Sequence, residues 1–180
     1  DRDVGPGGLS PSLRACMPYI KFLDAALERL PAKYHFKGRA NRGVKWAFPK
    51  PEDHDPEAHF PKGRQFFWYE FKSAAFKFEV MYQETFCGES GPRTVFTIDA
   101  CQGYLIAPFS HFPEAEVLFR PLSLFEVVSA EKRLLPKHLL PNAPKGGFPD
   151  EIHLRQLPPA GGGPEGARAG AAMVLEPEPE

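Results

Sequence analysis

Cysteine is scarce in this chain: Cys16, Cys87 and Cys101 are the only three in 180 residues. An odd count with no CxxC pair excludes a disulfide framework and argues against a structural zinc site. One bridge would suit a secreted protein, and free thiols a reducing compartment. Long hydrophobic runs are missing too. None approaches the roughly 18 residues of a membrane-spanning helix, so no membrane contact is expected within this segment. Neither sign of charge dominates: 22 Lys and Arg stand against 23 Asp and Glu, for a net charge of −1. Residues 158–180 set Glu165, Glu176, Glu178 and Glu180 against Arg168, which leaves the remainder only faintly basic. That falls far short of a phosphate-backbone binder, and nucleic acid is not expected as a partner. Neither GxGxxG nor GxxxxGK(S/T) occurs, which removes the Rossmann and P-loop routes to nucleotide binding. The chain begins with Asp1 rather than Met and reads as an excised piece. The lack of a signal peptide therefore says nothing of the parent protein, and the compartment stays open.

What is abundant is glycine (16) and proline (21), beside 16 phenylalanines in a chain that is 42% hydrophobic. Gly and Pro are disfavoured inside regular elements, so a helical bundle or coiled coil is ruled out. The apolar content is too high for disorder throughout. A single globular core wrapped in Pro-rich loops and tails is expected.

Residues 1–11 are Gly/Pro-rich and expected to be flexible. From Ser12, a plausible cap, apolar residues from Leu13 to Leu30 recur at three- and four-residue steps. The spacing predicts an amphipathic helix, kinked or broken near Pro18 and ended by Pro31. Residues 33–48 suggest short strands with a turn around Gly38 and Gly43, and 49–65 a solvated, acidic, Pro-rich loop. The aromatic run 66–71 has strand character. Residues 74–86 fit a strand or a helix face, and 87–93 form a turn. Residues 94–100 form a strand, Gly103 opens a loop into another at 104–107, and 117–130 gives one or two strands broken at Pro121. His153–Leu157 would add a last short strand, and the tail 158–180 has no core-forming pattern. The folded domain is therefore placed at 12–157.

The sharpest local chemistry is the acidic pair Glu114 and Glu116, two residues apart before an apolar run, which at a strand entrance points both carboxylates to one side. Such a pair divides labour, one member stabilising a cationic sugar centre and the other orienting or deprotonating an attacking group. Alone, the same residues also read as a solvated turn. Their surroundings carry more. Phe96-Thr-Ile, Gly103-Tyr-Leu-Ile, Ser110-His-Phe-Pro-Glu-Ala-Glu-Val-Leu, Pro121 and Phe125-Glu-Val follow in order. Upstream stand Leu30-Pro31, Arg42-Gly43-Val44 and Phe71-Lys72-Ser73-Ala74-Ala75. The set, spanning 12–130, resembles the arginine-specific mono-ADP-ribosyltransferase family of R-S-E type.

The resemblance implies an α+β fold, an N-terminal helix packed on a split β-sandwich with the NAD cleft between its sheets. It implies NAD as a consumed substrate with no metal, an acceptor protein with an exposed arginine, and NAD hydrolysis as a side reaction. Extracellular or membrane-anchored settings fit the family, and a cytoplasmic one is not excluded. It gives Glu116 the nicotinamide ribose 2′-hydroxyl and the oxocarbenium-like transition state. Glu114 would receive the acceptor guanidinium. Arg42 would bind phosphate or ribose oxygens, Gly43 would let the backbone approach the nicotinamide amide, and Ser73 would orient Glu116. Trp68, Tyr69, Phe71 and Phe76 would pack under the nicotinamide ring or in the core. Two departures bear on turnover. Ala75 stands where the family has a second serine, and Phe76-Lys77-Phe78 replaces the hydroxyl-bearing chemistry that follows. A catalytically silent module that binds NAD or protein is the alternative.

Two further clusters carry weaker readings. Asp53, His54, Asp55, Glu57 and His59 offer metal-ligand types on a Pro-broken loop with no scaffold, which fits a solvated segment better. Cys101 and His111 form a nominal thiol–imidazole pair without an orienting third group.

Overall fold

The computed structural model describes residues 10–48, 54–77, 81, 87–88, 91–111, 115–132 and 148–159. Most of the expected N-terminal segment and tail lies outside these residues. The chain divides at Tyr34/His35 into two compact units.

The first unit is helix α1, Pro11–Glu28. Its cap is Ser10, whose side chain accepts from the Leu13 amide at 3.2 Å, rather than Ser12. The reason is Pro11: proline has no N–H to satisfy and is pre-set for the first helical position. Pro18 does not break the helix. The chain leaves α1 at Arg29, two residues before Pro31, as expected.

The second unit holds seven strands among the described residues: β1 (His35–Val44), β2 (Gln65–Trp68), β3 (Lys72–Ala75), β4 (Thr94–Leu105), β5 (Glu116–Phe119), β6 (Ser123–Glu131) and β7 (Asp150–Gln156). A short helix α2 (Pro56–His59) precedes β2. The order is β1-β3-β5-β4-β7-β6-β2, with β1 also paired to β4, and every pairing is antiparallel except β4–β7. An N-terminal helix and a largely antiparallel sheet make this the α+β fold expected. Strands β1, β3, β5 and β4 close a ring, while β7, β6 and β2 extend the first half of β4 into an open leaf.

Two expected turns are strand instead. Gly38, at φ +144°, introduces an irregularity into one continuous β1 rather than a turn between two strands. Gly103 lies inside β4, where a Cβ would come within 2.6 Å of Val117 Cγ1, so glycine permits the close approach of β5. β4 leaves β7 after Asp99 and meets β5 at Tyr104. In between, the Gln156 side chain accepts from the Cys101 and Gln102 amides at 2.9 and 2.7 Å and donates to the Gln102 carbonyl at 2.8 Å. One buried amide thus satisfies backbone groups that neither neighbouring strand reaches.

The strand break expected at Pro121 is a tight turn from β5 into β6, with Leu122 at φ +62° and the Ser123 amide donating to the Arg120 carbonyl. The core is aromatic: Trp68, Phe96, Phe119 and Phe125 are at most 2% exposed, and Trp68 lies 4.4–6.5 Å from the other three rings. Each such side chain contributes about 2–3 kcal/mol when buried. The expected solvated loop is anchored over its described part. Phe60 is buried, His59 stacks on Phe48, and His54 Nε2 lies 2.5 Å from Asp150 Oδ2 with both side chains buried. His54 is therefore engaged by the first residue of β7. Cys16, Cys87 and Cys101 are free.

Candidate active site

The residues around the arginine and serine motifs meet where the ring nearly opens. β1 and β3 share a single bridge, Asn41 with Ala75. Continuing that register would set Gly43 opposite Ser73, but the strands part and the ladder stops. Arg42 spans the gap: its guanidinium donates to the Ser73 carbonyl at 3.0 Å, while its buried Nε has no hydrogen-bond partner. A buried donor left unpaired costs about 1–3 kcal/mol, so this edge of the sheet holds unmet polar capacity.

β3 pairs with β5 over four residues, which sets Ala75 directly opposite Glu116 and Ser73 opposite Leu118. Ser73 and Glu116 therefore lie on one face as diagonal neighbours, both half-buried. Among the described residues no hydrogen bond joins them. Directly opposed residues share a face, so one row crosses the sheet: Glu116, Ala75, Asn41, Thr97 and His153. Glu114 lies outside the described residues.

Gly43 has a clear local reason. A Cβ there would come 2.6 Å from Cys87 Cβ and 3.2 Å from Met81 Sδ, so packing alone requires glycine. Cys87, Met81, Val95 and Ala75 form a small apolar cluster on this face. Burial pushes the Cys87 thiol up, against the opposing pull of Arg93 and Lys45, which keeps it protonated. Of the aromatics near Ser73, Trp68 belongs to the core, whereas Tyr69 and Phe76 are exposed and Phe71 is half-buried.

Beyond Asn41 the row becomes a polar network. The Thr97 hydroxyl lies 3.4 Å from both Asn41 Oδ1 and Glu151 Oε1. His153 Nε2 is 2.7 Å from Asp99 Oδ2, and Arg39 Nε donates to Asp99 Oδ1 at 3.3 Å. Burial raises the Asp99 carboxyl, but His153 and Arg39 outweigh it and hold the group below the usual carboxylate range. Sequence reading missed Asn41, Thr97 and Gln156. Asn41 directly precedes the arginine motif, and that adjacency was the one signal for it. Gln156 acts through a bulge that no local pattern announces. Among the described residues no group of three or more metal-ligating side chains forms. Cys101 is half-buried, with its thiol pushed up by burial. Nothing in the described geometry pairs it with His111.

The fold is that of ADP-ribosyltransferases. Vis, a toxin of Vibrio splendidus solved in complex with agmatine, is 21% identical over 88% of this chain and 65% of its own, at TM-score 0.59. HopU1 of Pseudomonas syringae pv. tomato is 20% identical over 86% and 61%, also at 0.59. The corresponding domain of Salmonella SpvB is 18% identical over 84% and 77%, at 0.53. This chain thus spans less than two thirds of the length of the Vis and HopU1 chains. No curated protein matches the sequence significantly. The model of the NAD:arginine ADP-ribosyltransferase family matches residues 18–140, and the chain belongs to that family.

Proposed function

We propose that this chain transfers ADP-ribose from NAD to an arginine side chain of a protein, releasing nicotinamide. The observation that carries the reading is the convergence of Arg42, Ser73 and Glu116 around the single Asn41–Ala75 bridge. The residues present suit a dinucleotide. Arg42 keeps a buried unpaired donor on β1 for phosphate or ribose oxygens, and Glu116 presents a half-buried carboxylate on β5, across β3 from it. The complex of Vis with agmatine, a guanidinium compound, supports an arginine-like acceptor.

In this mechanism Glu116 accepts from the nicotinamide ribose 2′-hydroxyl and stabilises the positive charge that grows on the sugar as the C–N bond lengthens. Nicotinamide leaves with the bonding electron pair. Glu114 holds the acceptor guanidinium and takes the proton released as its nitrogen attacks. Water in place of the guanidinium gives NAD hydrolysis. Ser73 limits the swing of Glu116 from its diagonal position, and Gly43 keeps the strand edge narrow beside Arg42.

A second reading rests on Ala75. The residue directly across from Glu116 has no hydroxyl, which favours a silent module that holds NAD without turning it over. Labelled NAD with an arginine-rich acceptor, beside Glu116→Ala, separates the two. Label transfer lost in the variant supports the transferase. NAD binding with labelling and nicotinamide release at background selects the silent module.

A further inference from the structure

Arg93, directly before β4, is a buried cation that the mechanism above leaves unused. It is 1% exposed. Its Nη1 donates to the Gly88 carbonyl at 2.7 Å and its Nε to the Gly91 carbonyl at 3.3 Å. A charge this deep is tolerated only where acceptors of this kind surround it. Both acceptors belong to glycines in the left-handed region, Gly88 at φ +68° and Gly91 at φ +79°. The approach to β4 is therefore folded around the guanidinium, with glycine at the two positions whose backbone must turn toward it.

What this anchors is Cys87, the residue before Gly88. The Cys87 amide donates to the Met81 carbonyl at 3.2 Å. Its Sγ lies 3.9 and 4.0 Å from the carbonyls of Val44 and Thr94, which are partners across β1 and β4. Its Cβ fills the space over Gly43, where a Cβ on the glycine would come within 2.6 Å. Gly43 follows Arg42 on the stretch of β1 that has parted from β3 after the Asn41–Ala75 bridge. Here β1 keeps β4 on one edge, and Cys87 packs on its face. From this stretch the Arg42 guanidinium must reach the Ser73 carbonyl. Contacts thus run from Arg93 through Gly88 to Cys87, and from Cys87 to the arginine motif.

We propose that Arg93 is a positioning residue for the NAD site, fixing through Cys87 where the backbone of Arg42 and Gly43 lies. The inference rests on the NAD reading of the site. Arg93 touches no substrate. Its guanidinium holds the approach to β4 in place, and Cys87 presses the motif strand from its face. Release of that hold shifts Arg42 and loosens its grip on the dinucleotide. Glu116, on β5, keeps its pairing with β3, so the bond-breaking step is spared.

The test measures the NAD dissociation constant by calorimetry, KM and kcat for nicotinamide release, and Tm. Arg93→Lys keeps the charge but replaces the planar fork with a point donor. Gly91→Ala strains the same segment from outside, since its Cβ would meet nothing within 4 Å, and Gly91→Asn eases that strain because asparagine tolerates this region. Gly63→Ala is the control: φ there is +84° and its Cβ also meets nothing, but it lies between α2 and β2. Arg93→Lys should weaken NAD binding about tenfold and Gly91→Ala about threefold. Each should raise KM with kcat held within about twofold. Gly91→Asn should bind NAD as wild type does. Gly63→Ala should lower Tm as much as Gly91→Ala and leave NAD binding unchanged. In the double variant of Arg93→Lys and Gly91→Ala the losses should not add, because both act on one contact. If Arg93→Lys does not fold, Gly91→Ala decides. Folded Gly91→Ala with wild-type NAD affinity would overturn the proposal, as would equal weakening by Gly63→Ala or a fall in kcat at unchanged KM. In each case the transferase reading survives. Wild type that neither binds NAD nor releases nicotinamide would remove that reading and the proposal with it.

Discussion

The open leaf of β4, β7, β6 and β2 and the junction of β1 with β3 are built on opposite terms. The leaf packs Trp68, Phe96 and Phe125, with Phe119 of β5, into a core nearly inaccessible to water, and its strands pair along their length with one register shift between Val127 and Ser129. The junction has one bridge, small residues at Gly43, Ser73 and Ala75, and a guanidinium that reaches across to a carbonyl while its buried Nε stays without a partner. The first holds the fold together by apolar burial. The second is held by one bridge and one guanidinium reach, and its unpaired donor has a counterpart in the leaf, Trp68 Nε1. Apolar burial and the motif residues thus lie on different strand pairs of one sheet, which the β1–β4 pairing joins.

The contrast breaks most visibly at Trp68. Trp68→Ala removes the ring that packs on Phe96, Phe119 and Phe125 and should cost about 3–5 kcal/mol, read as a fall in the urea midpoint at unchanged slope. A loss under about 1 kcal/mol would mean that the leaf is not the source of stability. Gly43→Ala comes next. Its Cβ would meet Cys87 Cβ at 2.6 Å, and overpacking of this kind costs about 1–3 kcal/mol. Leu122→Gly works in the other direction. Leu122 is exposed and holds φ +62° in the turn between β5, on the junction side, and β6, in the leaf. Relief of that strain should raise stability by up to about 1 kcal/mol, seen as a higher Tm.

The smallest expected effect is electrostatic. Asp99 is held below the usual carboxylate range by His153 and Arg39, against the effect of burial. The unfolded state therefore binds the proton first on acidification. Stability from this group is present above about pH 4 and is lost as pH falls through the lower folded value. Asp99→Asn should flatten that part of the acid-unfolding curve and cost no more than about 0.5 kcal/mol at pH 7, since the site is largely exposed.

Much of this division was legible in the sequence. The aromatic run at 66–71 and the alternation after Glu116 announced strands of the core, because burial on one face imposes a period of two. The motifs Arg42-Gly43-Val44, Phe71-Lys72-Ser73 and Glu114-Ala115-Glu116 announced the family. Their meeting point was not legible. The single Asn41–Ala75 bridge is a long-range register, and local pattern says nothing about where two strands stop pairing. The same limit hid Gln156, whose amide serves a bulge 54 and 55 residues away, and the His54–Asp150 pair, which spans 96 residues. Gly38 and Gly103 read as turns in the sequence because glycine marks both turns and close strand approach, and the second use shows only when the partner strand is known.

The central expectation is that Glu116 acts at the junction without supporting the leaf. The direct measurement is the rate of nicotinamide release from NAD by wild type and Glu116→Gln, with thermal melting of both. A fall of about 10²–10³-fold at an unchanged Tm is the result expected for loss of a group that stabilises developing charge. Release by the variant at the wild-type rate, with both proteins folded, would contradict it.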